Sequence, residues 1–124
     1  MSLFNRIAGT NPEDRVFASG KDWKISVWPL MMDVTRLLDG KISFADLATE
    51  YDLNGAEQTQ MQSYLGAINT MLQAEIAPRV SVGLPLDVAT RDARLAIDGV
   101  LRYVLLMAEY GKITEAEFNS QLGL

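Results

Sequence analysis

A chain of 124 residues, 48% hydrophobic and 22% charged, is sized for one folded domain and too apolar for a disordered tract. It contains neither histidine nor cysteine, which excludes most zinc sites, thiol nucleophiles, Ser-His-Asp triads, iron–sulfur clusters and disulfide frameworks. A formal net charge of -5 disfavours free nucleic acid and anionic membranes as partners, because clustered Lys and Arg supply affinity for both.

Residues 1–28 read as an N-terminal arm and 29–124 as a helical domain. Met1 to Ile7 lacks the apolar run of a signal peptide, and no window approaches the ~20 apolar residues of a membrane span. The expected location is therefore the cytoplasm or a virion, without export by a signal peptide. Asn11-Pro12-Glu13-Asp14 offers a short helix start, with an Asn cap, Pro at the first helical position and acids near the positive dipole end. Trp23, Ile25 and Val27 alternate with Lys24, Ser26 and Trp28, which predicts an extended arm packed on helices.

From Pro29, Leu30, Val34, Leu37 and Leu38 recur at helical spacing until Gly40. Ser43 with Asp46 forms a capping box for a short helix bearing Phe44, Leu47, Ala48 and Tyr51 on its apolar side. Asn54 and Glu57 repeat the device, opening a long helix over 55–76 that Pro78 is expected to end. Residues 79–86 alternate Val80, Val82, Leu84 and Leu86 around Gly83 and Pro85, and predict an extended connection. A second long helix follows over 87–110, capped by Asp87 or Thr90, with Ala93, Ile97, Val100, Leu101, Val104 and Met107 inward. Gly111 stops it, and Thr114 with Glu117 caps a last short helix. The sum is an all-α fold of four to five helices built on a long antiparallel pair.

Gly40-Lys41-Ile42-Ser43 and Gly111-Lys112-Ile113-Thr114 open two matching passages that run on to Leu53 and Leu124. Duplication or convergence on one helix–corner–helix solution would produce them, and convergence is the blander reading because capping chemistry alone explains most matched positions. Neither passage is an EF-hand: placing Gly40 sixth gives Thr35, Leu37 and Asp39 as ligands, and placing Gly111 sixth gives Leu106, Ala108 and Tyr110. Neither is a phosphate loop, because Ile42 and Ile113 stand where a hydroxyl must follow Lys. Arg91, Arg94 and Arg102 with Asp98 read as a solvated face laced by pairs such as Asp87–Arg91 and Arg94–Asp98. No catalytic residue, metal or cofactor is expected.

From Gln58 to Ala74 not one side chain is charged, although a freely solvated helix face usually carries Lys and Glu. Trp23, Trp28, Val82, Leu84, Gln62 and Tyr64 are accordingly the expected partner contacts, on the arm, the connection and the uncharged helix. These features predict a non-enzymatic subunit working through protein–protein contact, in an oligomer or hetero-complex. The alternative is a small regulator whose acidic stretch 39–75 meets a basic partner, since Lys41 there faces six Asp and Glu.

The segment Leu105-Leu106-Met107-Ala108-Glu109-Tyr110-Gly111-Lys112-Ile113-Thr114-Glu115-Ala116-Glu117-Phe118, closing on Leu122-Gly123-Leu124, resembles the endings of small accessory proteins of tailed bacteriophages. Tyr51-Asp52-Leu53-Asn54-Gly55-Ala56-Glu57-Gln58 has the same character. The resemblance implies a virion or assembly component near tail, baseplate or fibre attachment, and carries over no functional residue.

Overall fold

The computed structural model describes residues 3–8 and 25–124. The helix start expected at Asn11 and the side chain of Trp23 lie outside the described residues. Six helices and no strand occur among those described: α1 (Leu3–Ile7), α2 (Val27–Leu38), α3 (Phe44–Glu50), α4 (Gly55–Ser81), α5 (Leu86–Glu109) and α6 (Glu115–Gln121). The all-α architecture with a long helical pair follows the sequence, and α4 against α5 is the largest interface.

Local chemistry sets most helix ends. Ser43, Asn54 and Thr114 each accept from the backbone N–H three residues on, while Asp46, Glu57 and Glu117 reach back to the capping residue. Each box satisfies two N–H groups that a helix start leaves orphaned. The two matching passages are superposable in their bonding. Lys41 N–H donates to Arg36 C=O and Lys112 N–H to Met107 C=O, both at 2.8 Å. Gly40 and Gly111 take φ of 71° and 69°, the left-handed turn these bonds require. Asp52 and Gly123 repeat that turn at the far ends of α3 and α6.

Three expectations along the chain are corrected. The extended arm is shortened at its described end: Ile25 and Ser26 are non-helical, with Ser26 extended, but Val27 and Trp28 are already helical, and Leu3, Phe4, Ile7, Ile25 and Val27 are buried in the main core. Alternation over so few residues matches a helix entry as well as a strand, and burial of α1 decided between them. Likewise α4 runs through Pro78 to Ser81, so 79–86 is no extended connection. Pro78 sits exposed in the last turn, where the carbonyl it leaves unbonded is open to solvent, and Val82 N–H donates to Pro78 C=O at 3.2 Å. Neither Asp87 nor Thr90 caps α5. Pro85 stands at its cap position, and the Thr90 hydroxyl donates to Leu86 C=O at 2.7 Å.

One core joins α1, α2, α3, α4, α5 and α6, with Leu3, Ile7, Leu47 and Val104 almost fully buried. Phe118 is its aromatic centre, 5.3 Å from the Phe4 ring and 5.4 Å from Tyr64 in an edge-on contact. Val100 lies at the edge of the α5 stripe and is exposed rather than inward. A second, small cluster of Ile76, Ala89 and Ala93 with Leu72 joins α4 to α5 alone. The two alanines let the α4 and α5 backbones approach, and among the described residues only these two helices contribute to the cluster. Beyond Leu72 the hairpin takes no part in the main core among the described residues, over about 14 Å of helix.

Candidate interaction surface

The α4–α5 hairpin ends in aliphatic groups held out to solvent. Gly83, at φ 102°, turns the chain, with Gly83 N–H donating to Val80 C=O at 3.0 Å and Leu84 N–H to Arg79 C=O at 3.1 Å. Val82 is 80% exposed and Leu86 66%, with Val80 and Leu84 exposed beside them. Arg79 is tied back to Glu75 at 2.8 Å, so the tip itself presents no free cation from that residue. Four exposed aliphatic side chains on a tight turn are a small apolar patch at the end of a helical stem. This is the kind of surface that a pocket on another protein desolvates.

The expected partner residues do not converge. Val82 and Leu84 are at the tip, whereas Trp28 lies near the opposite end of α5. Trp28 is 54% exposed and stacks under Arg102, whose guanidinium carbon is 5.5 Å from the ring centroid. Gln62 is exposed on α4. Tyr64 is corrected: helical spacing with Met61 and Ile68 turns it into the core against Phe118, and burial pushes its hydroxyl pKa up. Its ring is closed to a partner. Arg94 pairs with Asp39 at the end of α2 instead of Asp98, so the arginine stripe is partly a tertiary clamp.

Two hollows were open to a small molecule. The first, enclosed by Leu30, Val34, Met61, Ile68, Leu101 and Phe118 among others, has a free volume of about 50 Å³. That is far below the ~300 Å³ of a small ligand site, and its walls are mostly apolar. The second is an open groove of about 580 Å³ where α5 runs past the end of α2, carrying Asp39, Asp87, Asp98, Arg91 and Arg94. Its charges are mixed and the Arg94–Asp39 pair lies across it, so it presents no single-sign field. Among the described residues no three acidic side chains converge to hold a metal ion, and no helix is long and apolar enough to cross a membrane.

The buried charges serve the fold. Arg6 donates to Glu57 Oε2 at 3.0 Å and to the Tyr51 carbonyl at 2.7 Å, fixing α1 to the α3–α4 corner. Glu57 Oε1 meanwhile completes its capping box on Asn54 N–H. Glu109 Oε2 accepts from Val27 N–H at 3.0 Å, placing an acid at the α2 N-terminus where Ser26 makes no side-chain cap bond. Asp33 accepts from the Tyr51 hydroxyl at 2.6 Å and from Arg36 at 2.7 Å. Burial opposes the Asp33 carboxylate, but Tyr51, Glu50 and Arg36 outweigh it and its pKa is lowered. Burial and then the Asp33 carboxylate raise the pKa of both Glu50 and Tyr51. Sequence reasoning missed Arg6, Asp33 and Glu109, because nothing in their spacing distinguishes them from solvated charges. Comparison with models of protein families, with curated proteins and with solved structures finds no match.

Proposed function

We propose that the protein is a non-enzymatic structural or adaptor subunit that docks onto another protein through the tip of its α4–α5 hairpin. The observation that carries the reading is the exposure of four aliphatic side chains at one turn. A stem with its own small cluster, Ile76, Ala89 and Ala93, holds Val80, Val82, Leu84 and Leu86 where they add nothing to the core. Contiguous exposed apolar groups are the kind of patch that marks a protein–protein contact. The phage-like wording of the C-terminal third narrows the proposal to a virion or tail-assembly component.

The rival, an acidic regulator, loses support from the pairing of its acids. Within 39–75, Asp39 is bonded to Arg94, Glu57 to Arg6 and Glu75 to Arg79, which leaves fewer free carboxylates than the sequence offers. Salt separates the two, since an apolar contact persists where a charge-steered one weakens. The experiment is capture of partners from the native source with the wild type and the double variant Val82→Ser/Leu86→Ser at low and high salt. A partner held by the wild type at high salt and lost from the variant is the expected result. A partner that the variant retains, or that the wild type releases as salt rises, would sink the tip-docking reading.

A further inference from the structure

Resting on the reading of the protein as an assembly subunit, we propose that two copies of this chain pair through the outer face of α4, antiparallel about a two-fold axis near Gly66. Thr59, Gln62, Ser63, Gly66, Asn69 and Thr70 are all exposed, and steps of three and four residues set them along one side of the helix. The face carries no charge from Gln58 through Ala74, about 25 Å of helix. That matters in a protein of net charge -5, because most other approaches of two copies bring like charge together. Along this strip they meet none.

The chemistry of the strip selects a copy of itself. Amides and hydroxyls both donate and accept, so Gln62 and Asn69 on one copy can bond their counterparts on the other across the axis. A strongly charged partner would find nothing there to neutralise. Gly66 adds a separate reason. A Cβ built on it meets nothing within 4 Å, and its φ is not among the positive ones, so the isolated chain gains nothing from glycine there. A mid-helix glycine weakens a helix relative to alanine, and close approach of another backbone is what would require it. Gly99 on α5 is exposed and open in the same way, at a similar distance from the turn at Gly83. Val100 and Tyr103 near it are exposed as well.

Sedimentation equilibrium of the whole protein, over a concentration series and at about 50 and 500 mM salt, tests the pair. The expected result is a dimer that salt leaves intact or tightens, because screening removes repulsion while the contact itself is neutral. Gly66→Glu places like charges across the axis and should weaken association by about tenfold or more. In dilute solution, where both proteins are monomeric, its melting temperature should not fall below the wild type's, since Glu is the better helix former on an exposed face. A wild type that stays monomeric up to about 1 mM, a dimer dispersed by salt, or a Gly66→Glu variant that pairs like the wild type overturns the proposal. So does a dimer lost on Val82→Ser but kept on Gly66→Glu. A monomeric wild type that still loses its partner on tip substitution refutes the pair and leaves tip docking standing. A dimer lost on Gly66→Glu with no tip-dependent partner does the reverse.

Discussion

Tyr51 is the residue on which most of the buried electrostatics turns. Its hydroxyl donates to Asp33 at 2.6 Å, its carbonyl accepts from Arg6, and its ring is buried at the end of α3. Tyr51→Phe leaves a buried carboxylate with one partner fewer and should cost about 1–3 kcal/mol in urea unfolding. The pH dependence has a definite sign. The folded-state pKa of Tyr51 is raised, so its contribution is present below the unfolded pKa near 10 and lost as pH rises above it. Thermal melts from about pH 8 to 11 should show an alkaline decline that is shallower in Tyr51→Phe. On the acid side two effects oppose. Asp33, lowered, loses its contribution as pH falls, while Glu50, raised, loses its own as pH rises through its folded pKa, so their partial cancellation is the expected outcome near pH 4.

The helices end where their termini are chemically marked, and the marks can be tested against each other. Gly111 at φ 69° closes α5, and a side chain there would be strained even though nothing crowds it. Gly111→Ala should therefore cost about 1–2 kcal/mol, and Gly40→Ala much the same, because the two corners share one geometry. Pro78→Ala should move stability the other way, by up to about 1 kcal/mol, by restoring the N–H that α4 lacks in its last turn. Chemical denaturation of the three variants checks all of these. A large cost for Pro78→Ala would mean that the proline shapes the hairpin beyond its missing hydrogen bond. The three capping boxes were legible from residue spacing alone, since a box needs nothing beyond its own four residues. The end of α4 was not, because a proline near a helix terminus stops the helix only if no neighbour favours the extra turn. Here α5 packs alongside, and Ile76 meets Ala89 and Ala93.

At the scale of the molecule, stability is divided between a bundle with one shared core and a hairpin end held by a handful of contacts. Amide hydrogen exchange should reflect that division. Protection in α4 beyond Leu72 and in α5 before Ala93 should fall below that around Ile97 to Ala108, with openings smaller than global unfolding. Uniform protection along both helices would show that the hairpin end is braced by something other than its own cluster. Replacing Val82 and Leu86 by Ser should leave stability within about 0.5 kcal/mol, because neither side chain is in a core. Leu47→Ala, at a fully buried position, should cost about 2–5 kcal/mol.

The amino-acid sequence by itself determined the helical class, the three capping boxes, the two glycine corners and the exclusion of histidine and cysteine chemistry. Those depend on residue identity and on spacings of three and four, which act within a single turn of chain. It also singled out Val82 and Leu84, since aliphatic groups beside Gly83 and Pro85 stand out in any context. Tertiary structure alone decided the rest: α1 inside the core, Tyr64 turned inward, Glu109 at the start of a helix 82 residues away, and Arg6 matched with Glu57. A charge or an aromatic ring reads the same in sequence whether it faces water or a partner. Only the packing of distant segments decides which, through desolvation that a local pattern does not record.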